Sequence, residues 1–172
     1  MKKIVKKVVK NPDKKLTSKI NFKILILCVL IPLVIGFIGG IFTSSSVPSW
    51  YLTLIKPSFN PPSWLFGPVW TLLYVLMGTA LYLVFISKSK YRKTALVLFG
   101  VQLGLNLLWS ILFFGLRSPY FAFIEILILW IWLFVTIVYF FKINKKAGWL
   151  MIPYILWVSF AGLLNYMLWI LN

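Results

Sequence analysis

Within the apolar stretches of this 172-residue sequence, few side chains could do chemistry. Glu125 is the one acid inside them, and Gln102, Asn106, Ser110 and Asn165 are its polar company. Histidine is absent, so a Ser–His pair and imidazole ligation of a metal or haem are excluded. Asp13 and Glu125 are the only carboxylates and lie far apart in the chain, which leaves no acid–base pair. Cys28 is single, so it can build neither a disulfide framework nor a metal cluster. No metal site or required cofactor is expected. Aromatic area is what the chain has in excess, with 9 Trp, 8 Tyr and 15 Phe. Trp70, Trp109 and Trp157 fall mid-stretch beside Tyr74, Asn106 and Ala161. That combination suits stacking against a planar apolar molecule.

The elements that must position these residues are helices in a membrane. Hydrophobic residues make up 62% of the chain and charged ones 12%, too little polar surface for a soluble globule. Five uninterrupted apolar stretches account for the imbalance: Ile24–Thr43, Leu65–Ile86, Thr94–Leu116, Pro119–Phe141 and Ala147–Leu171. Each has the roughly 20 residues that a helix needs to cross a ~30 Å hydrocarbon core. In lipid every backbone polar group must be paired internally, which favours helices for such runs. The fold class is therefore all-α integral membrane, a bundle of five transmembrane helices. Residues 1–23 form a basic tail and 24–172 the membrane domain.

A net charge of +16 suggests nucleic acid at first sight, but its distribution argues against that. Nine lysines precede the first span; Lys88, Lys90, Arg92 and Lys93 follow the second, and Lys142, Lys145 and Lys146 follow the fourth. Only Lys56 and Arg117 fall on the other side. This asymmetry predicts a cytoplasmic N-terminus, an external C-terminus and residence in the plasma membrane. Over Met1–Lys10 the valines and Ile4 recur at helical spacing among lysines. Such a segment either lies on anionic lipid or serves only to set topology. The first span is too long for a signal-peptide core and lacks a cleavage motif, so it is read as retained.

Measured from the outer ends, Trp70, Asn106, Ser110, Glu125 and Asn165 lie roughly 8–15 Å deep at 1.5 Å per residue. Polar groups from four helices thus gather under the loop Ser44–Trp64, whose Pro48, Pro57, Pro61, Pro62, Trp50, Tyr51, Phe59 and Trp64 suit a packed lid or an interfacial belt. The pattern favours a lined cavity over scattered interhelical glue. Gly100 and Gly104 form a G-x-x-x-G pair that permits a homodimer through the third span, and Gly36 and Gly40 offer another in the first.

These residues also carry a likeness. Trp50-Tyr51, Lys56-Pro57, Pro61-Pro62, Phe66-Gly67-Pro68-Val69-Trp70-Thr71-Leu72-Leu73-Tyr74 and Met77-Gly78 are followed by Leu105-Asn106-Leu107-Leu108-Trp109-Ser110 and Phe113-Phe114-Gly115. Pro153-Tyr154, Trp157, Phe160-Ala161 and Leu164-Asn165 complete the set. The sequence over about 24–172 resembles the tryptophan-rich sensory protein/translocator protein family. The resemblance implies a five-helix bundle with a pocket lidded by the first loop. It implies binding of porphyrins such as protoporphyrin IX and haem, and of isoquinoline and benzodiazepine drugs. Animal members also bind cholesterol, and some bacterial members degrade protoporphyrin in light. The family's pocket positions fall on Tyr51, Trp70, Tyr74, Asn106, Trp109, Trp157 and Ala161, with Asn106 and Trp70 as polar contacts and Trp70 and Trp157 as candidates for any photochemistry. Two departures stand out. No basic residue follows Tyr166, which argues against the family's sterol motif, and Glu125 stands where many members have Asp.

The resulting expectation is a membrane receptor or sensor for tetrapyrroles. A transporter of such molecules, or a structural helper assembled with another membrane protein, are the rival readings.

Overall fold

The computed structural model describes residues 20–172; the basic segment Met1–Lys10 lies outside them. Its elements are α1 (Phe22–Ser46), α2 (Trp50–Thr53), α3 (Ser63–Phe85), α4 (Arg92–Ser110, continued by a π-helical turn Ile111–Gly115), α5 (Pro119–Ile143) and α6 (Lys145–Leu171). All except α2 are long and apolar enough to cross a membrane. Each reaches past at least one end of the stretch read from hydropathy. α5 shares its start at Pro119, while α3 and the π-turn after α4 stop one residue short of the expected ends; asparagines cap α1 and α6. Asn21 Oδ1 accepts from the Ile24 amide at 3.3 Å. Asn144 alone separates α5 from α6; its backbone is extended and its side chain accepts from the Lys146 and Ala147 amides. Pro119 opens α5 at a position where no helical N–H is needed.

The five long helices close into a ring in the order α1, α3, α6, α5, α4, with α4 returning to α1. Their outward faces carry large apolar side chains such as Phe37, Leu27 and Ile131, which lipid covers.

Between lipid-exposed helices there is little hydrophobic drive, so close packing must hold the bundle together. The end beside the lysine-rich loops is filled by Met77, Ala80, Val84, Ala95, Leu133, Phe140, Ala147 and Met151, all essentially without exposure. Phe99 and Phe140 stack there at 5.9 Å. Pro32 cannot donate to the Cys28 carbonyl one turn earlier, and α3 comes in against this segment through Gly78. A Cβ on Gly78 would stand 2.4 Å from Val29 Cα and 2.7 Å from the Cys28 oxygen. Further out, Gly36 lies against the Tyr74 ring. This first-span glycine therefore packs inside the bundle.

Candidate functional site

Toward the opposite end the helices enclose a cavity of about 570 Å³ between α1, α3, α4 with its π-turn, and α6, with α2 above it. α1 supplies mostly small residues to the wall, Gly36, Gly39, Gly40 and Thr43, together with Leu33 and Phe37. The other helices supply rings. Trp70 stacks on Tyr74 at 5.4 Å and meets Tyr154 edge-on at 6.0 Å. Trp109 stacks on Phe113 at 5.1 Å, and Phe66 stands against Trp157 at 6.1 Å.

Hydrogen bonds fix several of these rings. The Tyr74 hydroxyl donates to Asn106 Oδ1 at 2.9 Å. Trp109 Nε1 donates to Asn165 Oδ1 at 3.0 Å, and Asn165 Nδ2 donates to the Pro119 carbonyl at 2.7 Å. Asn165 thus ties α4, α5 and α6 together at one depth. Trp157 Nε1 is buried and has no acceptor among the described residues.

The π-turn shapes the roof. The Leu116 amide reaches back to the Ile111 carbonyl at 2.8 Å, and Arg117 follows with φ of 52°. Ser46 Oγ donates to the Phe114 carbonyl at 2.6 Å, joining the end of α1 to this turn. Phe113 and Phe114 are set against α2: Trp50 lies 5.5 Å from Phe113 and Tyr51 6.0 Å from Phe114. Tyr51 is buried and donates to Asn60 Oδ1 at 2.7 Å; burial pushes its hydroxyl above the usual tyrosine range. Lys56 Nζ sits 4.9 Å from the Tyr51 ring centre. The Ile55 backbone exchanges two hydrogen bonds with the Asn172 side chain, at 2.9 and 3.1 Å. The first loop is thereby fastened across the top of the bundle.

Of the residues singled out from sequence, Tyr51, Trp70, Tyr74, Trp109, Trp157, Ala161, Ser110 and Asn165 line this one cavity. Asn106 and Glu125 are buried but do not line it. Asn106 stands behind Tyr74, its carbonyl oxygen already taken by that hydroxyl. The depth ordering groups Glu125 with the cavity; the structure separates them, because equal depth does not mean equal direction around the ring. Gly100 and Gly104 face outward on α4 with open space around them. Sequence reading missed the glycine face of α1 and the roof formed by Phe113 and Phe114. The Phe113-Phe114-Gly115 triplet is visible in sequence, but nothing in it announces a π-turn.

The signature described as the TspO/MBR family matches residues 28–170. The chain is 45% identical to the tryptophan-rich protein TspO of Chlorobaculum tepidum over 150 residues, 86% of this chain and 95% of that protein. It is 46% identical to the tryptophan-rich protein TspO of Archaeoglobus fulgidus over 156 residues, 88% of this chain and 99% of that one. It is 35% identical to the translocator protein of Bos taurus over 143 residues, 81% of this chain and 85% of that protein.

Proposed function

The chain belongs to the TspO/MBR family of membrane proteins, and we propose that it is a receptor that holds tetrapyrroles such as protoporphyrin IX and haem, and similar planar hydrophobic molecules, beneath its first loop. The observation that carries this reading is the aromatic chamber itself. Trp70, Tyr74, Trp109 and Trp157 face one space of about 570 Å³ from three helices, within the roughly 300–1,000 Å³ of small-molecule sites. An iron porphyrin would gain no histidine here, so stacking and burial must supply the affinity. Aromatic contacts contribute ~0.5–1.5 kcal/mol each beyond area. Three or four of them together with burial suit micromolar binding, about −8 kcal/mol.

The charge asymmetry supports residence in the plasma membrane, with the N-terminus cytoplasmic and the cavity toward the outside. The basic tail is suited to anionic lipid. Gly100 and Gly104 support a homodimer through α4, to be checked by the mass of Gly104→Leu in detergent. The sequence after Tyr166, which lacks a basic residue, speaks against cholesterol as the ligand. The test of the main reading is tryptophan quenching of the purified protein by protoporphyrin IX, haem and cholesterol. Saturable binding of the first two and none of the third is expected. Absence of saturable quenching by either porphyrin rejects the reading, and net porphyrin flux in proteoliposomes would convert receptor into transporter.

A photochemical extension is favoured by one observation, that two oxidisable indoles, Trp70 and Trp157, line the same chamber. Turnover would use the light absorption of the bound porphyrin, with the protein supplying orientation and shielding. Illumination should then yield a product distinct from that of free porphyrin, lost in Trp70→Phe and Trp157→Phe with binding retained. Identical bleaching with and without protein leaves binding alone.

A further inference from the structure

The cavity is not closed on every side. Its lining residues on α2, α4, the π-turn and α6 are all buried or half-buried. The exposed ones belong to two helices only: Phe37, Gly40 and Ser44 on α1, and Ser63, Gly67 and Thr71 on α3. A residue that touches both the cavity and the outside stands on a rim, so the rim runs between α1 and α3. The packing of these two helices accounts for it. They are drawn together where Gly78 meets the α1 backbone, and again where Gly36 lies on the Tyr74 ring. Nearer the first loop, nothing stands within 4 Å of where a Cβ on Gly40 or Gly67 would be. The pair therefore parts toward that loop.

The opening lies at membrane depth. α1 ends at Ser46 and α3 begins at Ser63, which puts Phe37 and Thr71 roughly 12–14 Å below those ends at 1.5 Å per residue. A bilayer is hydrocarbon at that level, so the slot faces acyl chains, not water. The roof offers no equivalent. Tyr51 is buried, Ser46 is bonded to the π-turn, and the Asn172 side chain holds the Ile55 backbone. The chemistry of the slot also suits lipid. No charged side chain stands on its rim. The Thr71 and Ser44 hydroxyls donate to the Gly67 and Ile41 carbonyls of their own helices, at 2.9 and 3.1 Å. Neither therefore holds out an unpaired donor to a passing apolar surface, which would be costly in hydrocarbon. Phe37, 73% exposed, adds an apolar edge, and the two glycines add no side chain.

We propose that the slot between α1 and α3 is the entrance of the cavity, through which the ligand arrives from the lipid beside the first loop while that loop stays fastened. The class of molecule it admits is one dissolved in the bilayer and flat enough to pass edge-on between two helices. A molecule confined to water has no way in. The identity of the ligand rests on the receptor reading above; the entrance does not, and the test separates the two.

Full-length protein in lipid nanodiscs allows each route to be blocked in turn. Ile55→Cys with Asn172→Cys, in a Cys28→Ala background, lets a short bis-maleimide tie the first loop to α6. Gly67→Trp fills the slot; should it fail to fold, Gly67→Cys in the same background takes a bulky thiol reagent after folding. Leu72→Trp, exposed on α3 but outside the cavity lining, is the control. A lipid-soluble aryl diazirine photolysed in the bilayer should label Ser110 and Ala161 on the cavity wall. Tying the loop and Leu72→Trp should leave that labelling unchanged, whereas Gly67→Trp should lower it by about fivefold or more. Association of protoporphyrin IX, followed by stopped-flow tryptophan quenching, should obey the same pattern. Its rate should stay within about twofold when the loop is tied and fall about tenfold or more in Gly67→Trp, with dissociation slowed in step. Lost labelling or slowed association on tying the loop overturns the proposal, as does a Gly67→Trp protein that changes neither. The expected labelling without saturable porphyrin binding upholds the entrance and rejects the receptor reading instead.

Discussion

The two halves of the bundle solve opposite problems with the same residue types. Near the lysine-rich loops, Phe99, Phe140, Met77 and Met151 interlock with no room left, and Gly78 brings α3 onto the backbone of α1. Near the first loop, rings as large as Trp70, Trp109 and Trp157 line an open chamber, and Gly40 has nothing within 4 Å of where its Cβ would be. In a lipid-soluble bundle neither outcome follows from hydrophobicity, since lipid is as apolar as leucine. Steric fit closes the first half. The second is kept open by hydrogen bonds that hold the rings at the wall, Tyr74 to Asn106 and Trp109 to Asn165. Close packing is thus concentrated in one half and the proposed binding site in the other.

The strongest way to break this comparison is to give the two glycines the same substitution. Gly78→Leu forces side-chain atoms into the α1 backbone, and overpacking of this severity costs about 3 kcal/mol. Unfolding of the detergent-solubilised protein should show that loss. Gly40→Leu projects into open space, so its stability should stay within about 0.5 kcal/mol of the parent. Its side chain occupies the chamber, however, and protoporphyrin affinity should fall by about tenfold or more, ~1.4 kcal/mol and upward. Equal stability losses in the two variants would erase the distinction between halves. Normal binding by Gly40→Leu would remove the chamber as the ligand site.

A finer test asks how the open half keeps its shape. The resemblance gives Asn106 as a polar contact to the ligand, whereas its carbonyl oxygen is occupied by Tyr74. On the geometric reading Asn106→Ala releases Tyr74, at about 1–3 kcal/mol for a buried partner left unpaired. Binding should weaken equally for ligands with and without a carbonyl. Tyr74→Phe should reproduce part of the effect, and the double variant should be less than additive, as expected for residues sharing one bond. Selective loss for carbonyl-bearing ligands, with additive effects, would return Asn106 to direct contact.

Much of this was legible before any coordinates, and the limits have a physical cause. Span number and approximate ends follow from length and hydropathy, which the bilayer thickness fixes. The ring-bearing wall from α3, α4 and α6 follows from Trp70, Trp109 and Trp157. The contribution of α1 does not, because a helix bathed in lipid is apolar on every side, and no periodicity shows which face turns inward. Phe37 and Leu33 read alike in sequence, yet one is mostly exposed and the other packs against the core. Depth can be counted from the helix ends, but azimuth cannot, which is why the count groups Glu125 with a cavity that it does not line. The π-turn at Ile111–Gly115 is set by contacts from Ser46 and α2, distant in sequence and invisible to local propensity.

The smallest expected effect sharpens the comparison at the lid. The open half is apolar in its walls, yet a tetrapyrrole such as protoporphyrin carries two carboxylates that must find water or a cation. Lys56 places a positive charge beside the chamber, over the Tyr51 ring that lines it. Its ammonium already donates to the Leu52 and Leu54 carbonyls at 3.3 and 3.0 Å, so its position is set before any ligand arrives. A half-exposed pair of this kind contributes ~0.2–1 kcal/mol and is screened by salt. Lys56→Met should therefore weaken protoporphyrin IX by no more than about fivefold, the affinity equivalent of the upper end of that energy. The dimethyl ester has the same ring without the charges, and its affinity should not change. Raising the salt concentration should erase the difference between parent and variant for the free acid while leaving the ester alone. Equal weakening of acid and ester would mean that Lys56 acts by holding the lid through Tyr51, and the carboxylates would then have to leave the chamber elsewhere.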